Sequence, residues 1–329
     1  MTSALIDVKN VTKIFSISGG IFGKKRSVCA VDNVSFHINE GETVALVGES
    51  GCGKSTLGRI TLGILQPTSG KILFKGRDIW RLNKSEFKEF RRNAQIIHQN
   101  PYDTLNPMKT IYQSLSPPLL HYKIVRNRRE CWEKASELLE MVGLVPPSDF
   151  LQRYPSRLSG GQMQRIAIAR AISVNPNFIV ADEAVSMLDA SLRIEILDLL
   201  LELKRKFNMA YLFITHDFGV ARYFAKDGRI LVMYLGSIVE EGSTEDVILD
   251  PIHPYTKILL ECVPIPDPKI ARNKGLPRLK SLEIPDLTNI PSGCKFYTRC
   301  PYGEDICSNK TPEFKPAGRG RFVACHIFS

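Results

Sequence analysis

The pattern of apolar and polar positions divides the chain into a strand-rich beginning, a helical middle and a tail without clear periodicity. Apolar and polar residues alternate in "VSFHI" (34–38), and "LIDVKNVTKIF", "ETVALVG" and "GKILFKG" are rich in β-forming residues separated by Gly, Asp and Asn turns. This part predicts an N-terminal, mostly antiparallel sheet that leads into a parallel core.

From about residue 84 to 150 the pattern becomes helical and rich in charge. "KSEFKEFRRN" and "RRECWEKASELLEMVG" are its clearest helical segments, and Gly143 stands where a helix C-cap is expected at the end of the second one. The pattern predicts a helical insertion.

A strand, a helix and a second strand follow. "FIVAD" (178–182) and "AYLFIT" (210–215) are strand-like, and between them a long helix is predicted with five apolar residues on one face: Leu192, Ile196, Leu199, Leu200 and Leu203. The order strand, helix, strand implies a parallel sheet. Beyond about residue 262 the chain is rich in Pro, Lys and Arg with little periodicity, which predicts an extended tail with few helices.

Composition narrows the class of protein without choosing a function. The chain has 329 residues, 24% charged and 43% hydrophobic, which suits a soluble globular protein with one large domain and an appendage, or two domains. No apolar run approaches the roughly 18 residues of a membrane span, and "MTSALIDVKN" is not a secretory signal, so the chain is expected to stay where it is made. The net charge of +10 favours anionic partners, although a solvated basic surface explains it equally well.

The segment "GESGCGKST" (48–56) follows an apolar run and precedes a helical pattern, which is the context that a P-loop requires. Its backbone N–H groups are expected to surround phosphate, Lys54 to neutralise the β and γ phosphates of a nucleotide, and the Ser55 hydroxyl to bind Mg²⁺. Cys52 lies at the helix start, where the pKa of a thiol is expected to fall and its reactivity to rise; the simpler alternative is a tolerated small residue. The expected nucleotide-binding residues of the loop are Gly48, Ser50, Gly51, Cys52, Gly53, Lys54, Ser55 and Thr56.

A pair of carboxylates ends the strand-like run "FIVADE" (178–183). Asp182 is the expected partner of Mg²⁺, and Glu183 is a candidate general base. Strands often end in Asp, so this pair indicates a nucleotide site only when the sequence also contains a P-loop. The two motifs together allow a kinase, a helicase, a GTPase or a transport ATPase.

The segment "RLSGGQMQR" (157–165) separates these classes. Gly160 and Gly161 open a predicted helix, and their N–H groups together with Ser159 would form a second anion-binding helix end. One nucleotide cannot easily use two such ends of one chain, so the second is expected to serve the γ-phosphate bound by a partner. By itself "SGG" would be an ordinary turn before a helix.

With this segment the chain resembles the ATP-binding cassette (ABC) family over roughly residues 5–245, because LSGGQ is the signature motif of that family. The resemblance implies an α/β fold for residues 1–262: an antiparallel β subdomain, a RecA-like parallel core and a helical subdomain at about 84–175. It also implies that ATP lies between the P-loop of one cassette and the signature residues of another: Ser159, Gly160, Gly161 and Gln162. The chain has no internal repeat and therefore holds one cassette, so it must dimerise.

Further positions match motifs of the family. Phe15 in "TKIF" matches the aromatic residue that stacks on adenine, Gln99 in "IIHQNPYDTLNP" the glutamine that senses Mg²⁺ and contacts membrane subunits, and Asp189 in "SMLD" the loop that crosses to the partner. His216 in "FITHD" matches the residue that holds the γ-phosphate and the attacking water. The expected catalytic residues are Glu183, His216 and Gln99. Ala184 and Met187 depart from the common motifs without removing a catalytic group, so an active site is expected.

The second half of the motif set is similar to the ATPase subunits of dipeptide and oligopeptide importers, through "QNPYDTLNP" (99–107), "MYLGSIVEEGSTEDVILDPIHPYTKILL" (233–260) and the cysteine-rich tail. "GGIFGKKRSVCAVDNVSFHINEGETVALVGESGCGKSTLGR" is similar to the F-type subunit. This resemblance implies a heterodimer with a D-type ATPase subunit, two membrane permease subunits, an extracytoplasmic binding protein, and a peripheral position on the cytoplasmic face of the membrane.

The transported molecule stays open at this point. Di- or oligopeptides come first, and cello-type oligosaccharides or nickel complexes are alternatives that the residues do not distinguish. A soluble ATPase that binds nucleic acid is a more distant alternative, because no basic platform with interleaved aromatic residues is found.

Four of the eight cysteines lie in the region 263–329, in which a small irregular domain is expected: Cys294, Cys300, Cys307 and Cys325. Their spacing, C-x5-C-x6-C-x17-C, lacks the C-x2-C pair of common zinc sites and the ferredoxin run, so spacing leaves only four thiols that could hold a metal. A metal would stabilise a tail that has little apolar material to bury. The resemblance implies a [4Fe–4S] cluster, with zinc, reduced thiols and disulfides as alternatives and a structural or redox-sensing role left open.

Overall fold

A computed structural model describes residues 4–19, 23–263, 278–285 and 290–328, with the backbone alone for 17–19 and 23–26. The strands are β1 Ile6–Gly19, β2 Gly23–Ile38, β3 Thr43–Val47, β4 Ser69–Phe74, β5 Arg77–Asp78, β6 Ala94–Ile97, β7 Phe178–Asp182, β8 Ala210–Thr215, β9 Arg229–Tyr234, β10 Ser237–Ser243, β11 Lys315–Pro316 and β12 Phe322–Val323. The helices are α1 Lys54–Thr61, α2 Lys84–Asn93, α3 Ile111–His121, α4 Arg128–Met141, α5 Ser148–Leu151, α6 Gly160–Ile172, α7 Ala190–Phe207, α8 Phe218–Phe224, α9 Thr244–Leu249, α10 Pro254–Glu261 and α11 Asp305–Asn309.

The chain forms two compact units. Unit 1 contains residues 4–6, 38–42 and 74–214, and unit 2 contains the described residues within 7–37, 43–73 and 215–328. None of the described helices combines the length and the apolar character that a membrane span requires.

Unit 1 is built on a parallel sheet in which β7 lies between β6 and β8. Ala94 pairs with Phe178, and Phe178 pairs with Ala210. Every residue of β7 and β8 is buried, which explains why both read as continuous apolar runs rather than as alternating ones. The predicted strands at 178–182 and 210–215, and their parallel pairing, are confirmed.

The helices of unit 1 follow the predicted pattern closely. α2 and α4 cover the two predicted segments, and Gly143 follows α4 with φ 75°, a left-handed conformation that favours glycine. α3, α4 and α6 pack against one another. Of the predicted apolar face of α7, Ile196, Leu199, Leu200 and Leu203 are buried and Leu192 is half-buried. Both predicted segments are therefore helical, whereas the short strand β6 within the same region was not predicted.

Unit 2 contains two groups of strands. In one, β1 lies between β2 and β4; in the other the order is β3, β9, β10, β12 and β11. β3 pairs with β9 in parallel, whereas β10 pairs with β9 and with β12 in antiparallel fashion. The mixed α/β class is the one predicted.

The tail adds two short strands, β12 and then β11, to the edge of this second group. Val323 pairs with Glu240, and the Ala324 N–H donates to the Val239 carbonyl oxygen at 2.9 Å. Phe296 and Cys300 belong to the same apolar cluster as Tyr234 of β9. As predicted, the described part of the tail has little helix, since α11 has five residues. A separate cysteine-rich domain is not confirmed, because the described tail residues belong to unit 2.

Candidate functional site

The phosphate loop of unit 2 connects the buried strand β3 to helix α1. Lys54 is the first residue of α1, so Ser55 and Thr56 lie in its first turn. Gly53 before it has φ 107°, and a Cβ atom there would overlap the carbonyl oxygen of Ala30. Gly48 is equally confined, since a Cβ atom would overlap the carbonyl oxygen of Met233. The loop therefore runs too close to neighbouring backbone for larger residues at either position.

The ammonium group of Lys54 lies over the loop that precedes it. The side chain is 4% exposed, and Nζ donates to the carbonyl oxygens of Gly48 at 2.7 Å and Glu49 at 2.8 Å. A cation held inside a loop at a helix N-terminus creates a local positive potential, which suits an anionic group such as phosphate.

Cys52 contradicts one prediction. Its side chain is 4% exposed, and Sγ lies 3.8 Å from the Lys54 ammonium. Burial raises the pKa of the Cys52 thiol above its ordinary value, and Lys54 offsets this only in part. The predicted fall in this pKa is wrong, because the sequence reveals the helix start but not how deeply the thiol is buried.

Glu49 fixes the beginning of the loop through contacts that the sequence analysis missed. Its backbone N–H donates to the Tyr255 hydroxyl at 2.9 Å, and its carboxylate binds both terminal nitrogens of Arg299. The Tyr255 ring lies 4.5 Å from the Tyr234 ring and 5.5 Å from the Phe296 ring, measured between centroids. No local pattern signals these contacts, since Arg299 and Glu49 are 250 positions apart.

In unit 1 the structure brings two predicted catalytic residues together. The Gln99 side chain donates from Nε2 to Oε2 of Glu183 at 2.9 Å. Asp182, at the carboxyl end of β7, is 7% exposed. Glu183 has φ 49°, and its N–H donates to the Ile214 carbonyl oxygen at 3.0 Å. A left-handed conformation costs a residue other than glycine roughly 1–2 kcal/mol, and strain of this kind is concentrated at functional sites.

The signature segment forms the N-terminus of α6, also in unit 1. Ser159 Oγ accepts from the Gln162 N–H at 3.3 Å, and Gln162 Oε1 accepts from the Ser159 N–H at 3.0 Å, a reciprocal capping box. Gly160 has open space around it, whereas a Cβ atom on Gly161 would lie 3.3 Å from Leu192 of α7. Ser159 is exposed, so the start of this helix is accessible from solvent.

Asp189, the predicted crossing-loop residue of unit 1, caps α7. Its carboxylate accepts from the Leu192 N–H at 3.0 Å and from the Ser191 hydroxyl at 2.9 Å. These bonds, the one from Leu192 foremost, hold the pKa of Asp189 below its ordinary value. The side chain therefore stays anionic at neutral pH while it stabilises the helix end.

Two more predicted residues lie at the surface of unit 2. His216 follows β8, is exposed, and precedes Asp217, which caps α8. Phe15 in β1 is 38% exposed, and the Lys13 ammonium lies 5.2 Å from its ring centroid. An exposed aromatic ring beside a cation is available for stacking on another ring.

The four cysteines of the tail all lie in unit 2. Cys300, Cys307 and Cys325 are buried, Cys294 is half-buried, and none of the four forms a disulfide. Burial raises the pKa of Cys294 to about 11, and the electrostatic influence of the neighbouring Cys307, Cys300 and Cys325 adds to that rise. In the described chain, however, no group of three or more His, Cys, Asp or Glu side chains is arranged so that it could hold a metal ion.

Two family models and several known proteins are similar to this chain. Residues 31–186 match the family model described as ABC transporter, and residues 239–307 match the one described as oligopeptide/dipeptide transporter, C-terminal region. The oligopeptide transport ATP-binding protein AppF of Bacillus subtilis is 44% identical over 99% of this chain and 98% of its own length. The di/tripeptide transport ATP-binding protein DppF of Pseudomonas aeruginosa is 40% identical over 98% of this chain and 97% of its own length.

A solved structure agrees with these matches. The ATP-binding cassette MJ0796, in a dimeric post-hydrolysis state bound to ADP and Pi, superposes with a TM-score of 0.63 at 32% identity, over 73% of this chain and 98% of that one. The chain therefore belongs to the ABC transporter family, among the ATP-binding proteins that carry the C-terminal region of oligopeptide/dipeptide transporters.

Proposed function

We propose that this chain is the ATP-hydrolysing subunit of a binding-protein-dependent importer of di- or oligopeptides. The observation that carries the proposal is the phosphate loop, in which a buried Lys54 ammonium lies over the loop carbonyls at a helix N-terminus. The peptide cargo is inferred from the relatives, which are named as oligopeptide and di/tripeptide transport ATP-binding proteins.

Within unit 2, the loop is proposed to bind the triphosphate. Lys54 exchanges its bonds to the loop carbonyls for bonds to the β and γ phosphates, and the backbone N–H groups at the start of α1 supply further donors. The Ser55 hydroxyl, in the first turn of α1, is proposed to bind Mg²⁺. Phe15 is proposed to stack on the adenine ring, which its exposure permits.

Within unit 1, Glu183 is proposed to accept the proton of the attacking water. The hydrogen bond from Gln99 orients the Glu183 carboxylate, and the left-handed backbone at Glu183 sets the direction of the side chain. Asp182 is proposed as the carboxylate for Mg²⁺ and Gln99 as a further oxygen ligand. Mg²⁺ suits this donor set, because it binds through one or two carboxylates, hydroxyls and substrate phosphates rather than through a cage of protein ligands; when bound, it neutralises developing phosphate charge.

The signature residues and Asp189 are proposed to act across a dimer, whereas His216 is proposed to act within its own chain. The helix start formed by Ser159, Gly160, Gly161 and Gln162 would bind the γ-phosphate held by a partner, and Asp189 would contact that partner. His216 would hold the γ-phosphate of its own chain. The exposure of Ser159 and His216 is consistent with both roles.

The proposed assembly is a heterodimer with a D-type ATPase subunit, attached peripherally to two membrane permease subunits that receive cargo from an extracytoplasmic binding protein. The match of residues 239–307 to the C-terminal region of oligopeptide/dipeptide transporters supports the importer type.

The four tail cysteines are proposed to hold a [4Fe–4S] cluster. Three are buried and all four are free thiols, and four cysteine sulfurs are the donor set that such a cluster requires. In the part of the chain that the structure describes, the sulfurs do not already form a coordination shell. A cluster would cross-link the tail and stabilise its fold.

Iron and acid-labile sulfide in the anaerobically purified chain test the cluster. Both should be present in the wild type and fall in Cys300→Ser, whereas Cys262→Ser, which removes an exposed cysteine outside the group, should keep them. Zinc, or no metal, in the wild type would contradict the cluster and leave the ATPase proposal intact.

Phosphate release by the purified chain and its partners tests the ATPase proposal. Glu183→Gln should abolish hydrolysis and retain ATP binding, because the amide keeps the shape and loses the base. Glu137→Gln is the matched control, since Glu137 lies on α4 and pairs with Lys134 at 2.7 Å. An unchanged rate in Glu183→Gln would exclude Glu183 as the base.

A further inference from the structure

A partly buried ion pair connects the phosphate loop to the cysteine-bearing tail within unit 2. The Arg299 Nη1 and Nη2 atoms lie 2.8 Å and 3.0 Å from the two carboxylate oxygens of Glu49. The side chains are 6% and 23% exposed. A bidentate pair of this kind fixes both distance and orientation, and burial protects it from screening by salt.

The surroundings hold the guanidinium group in place. Its central carbon lies 5.8 Å from the ring centroids of Tyr234 and Phe296, and Nη1 lies 3.5 Å from the Tyr234 hydroxyl. Phe296 is 1% exposed and belongs to the apolar cluster of unit 2. The position of Arg299 is therefore set by packing rather than by a mobile side chain.

The backbone around Arg299 is equally restrained. The N–H groups of Arg299 and Cys300 donate to the Phe296 carbonyl oxygen at 3.0 Å and 2.8 Å, and the Cys294 N–H donates to the Cys307 carbonyl oxygen at 2.8 Å. The Lys295 ammonium lies 2.8 Å from the Asp32 carboxylate. We call residues 293–307 the cysteine segment. Its backbone hydrogen bonds hold Arg299 in a fixed position.

The carboxylate of Glu49 requires a positively charged partner because of its position. It lies inside the loop whose backbone and Lys54 bind phosphate, so its carboxylate is a negative charge next to a site for an anion. Lys54 is directed to the carbonyl oxygens of Gly48 and Glu49, and the Glu49 carboxylate is bound by Arg299 instead. Without Arg299 this charge would stay near the loop and repel the triphosphate.

We propose that Arg299 is a positioning residue for ATP: it neutralises Glu49 and fixes the start of the phosphate loop, so that ATP affinity depends on the fold of the cysteine segment. The inference rests on the proposed ATP-hydrolysing function. Arg299 acts through Glu49, so its effect is predicted to appear in ATP binding and to depend on the charge at position 49.

The test measures the dissociation constant for Mg-ATP with the full-length chain by calorimetry. Arg299→Met should raise it roughly tenfold, the size expected for one uncompensated charge about 10 Å away at an effective dielectric constant of about 20. Glu49→Gln alone should not weaken binding, because it leaves a cation beside the loop. The double variant Arg299→Met, Glu49→Gln should bind ATP much closer to wild type than Arg299→Met does. The dissociation constant of Arg299→Lys should lie between those of wild type and Arg299→Met, since lysine keeps the charge without the bidentate geometry.

Arg321→Met is the matched control. Arg321 is also a buried tail arginine, 7% exposed, and it binds Asp250 rather than the loop. Its removal should lower stability and leave ATP affinity unchanged. Recovery of binding in the double variant would support the inference, since a merely structural role of Arg299 would not be rescued by removing a charge at position 49.

Two results would overturn the inference: Arg299→Met that binds ATP as tightly as wild type, or a double variant that binds as weakly as Arg299→Met. Failure of the wild-type chain to bind ATP would instead refute the proposed function itself.

Discussion

Substitution of Gly53 by alanine should destabilise the protein far more than the same change at Gly51, although both glycines lie in the phosphate loop and both have positive φ. Gly51 has φ 81° with no heavy atom within 4 Å of an added Cβ. Gly53 has φ 107°, and its added Cβ would overlap the Ala30 carbonyl oxygen and lie 3.0 Å from Cε of Met233. Comparison of the two variants therefore separates the cost of the left-handed backbone from the cost of steric overlap.

The expected magnitudes follow from these two contributions. A left-handed conformation costs alanine roughly 1–2 kcal/mol, and the lower chain entropy of the unfolded state returns about 0.4–1 kcal/mol in both variants. Gly51→Ala should therefore lower the free energy of unfolding by about 1 kcal/mol. Gly53→Ala adds an overlap with backbone, and overpacking of this kind costs a further 1–3 kcal/mol or more, for a total of about 3 kcal/mol.

Urea denaturation of both variants beside wild type measures the difference, because the midpoint falls with stability when the slope is unchanged. Mg-ATP binding is the second readout: Gly53→Ala should lose it, since relief of the overlap must move the loop, whereas Gly51→Ala should retain it. Equal midpoints for the two variants would refute the argument that close packing of the loop against residue 30 confines Gly53.

Three further predictions follow from the pKa values and caps of the described residues. His253 is buried, its Nδ1 accepts from the Tyr255 N–H, and burial lowers the pKa of His253 to about 3. The free energy of unfolding should therefore decrease as pH falls from 6.5 towards 3, because the unfolded chain binds the proton first. His253→Asn, which can still cap α10, should flatten the dependence of the unfolding midpoint on pH in that range. Cys52 has a thiol pKa raised by burial, so iodoacetamide should modify the exposed Cys262 well before Cys52, and peptide mapping that finds Cys52 modified first would contradict this. Asp189→Ala should lower the free energy of unfolding by about 1 kcal/mol through loss of the α7 cap, whereas Asp189→Asn, which keeps an acceptor, should retain most of the stability. Thermal unfolding of the two variants beside wild type measures this, and equal losses of stability would exclude capping as the cause.

The sequence predicted those parts of the fold whose signals are local. β7 and β8 begin and end where the apolar runs do, because strands buried on both faces need continuous hydrophobicity. Gly143 and the P-loop glycines were found for a related reason, since positive φ and close backbone approach leave few alternatives to glycine.

What the sequence did not predict depends on long-range packing. The pairing of Arg299 with Glu49 joins positions 250 apart and follows from the folding of the tail onto β9 and α10. The error at Cys52 has the same origin, because a local motif indicates a helix start but not the burial that outweighs it. The strand β12 was missed because its two residues are too few to show a period.

ATP-dependent uptake of a labelled oligopeptide into proteoliposomes that carry the complete transporter tests the central claim most directly, with ATP supplied on the side of this chain. The account predicts uptake with wild type and none with Lys54→Met, which removes the cation held over the phosphate loop. Uptake that continues at the wild-type rate with Lys54→Met, or no ATP-dependent uptake of peptide by the wild-type transporter, would contradict it.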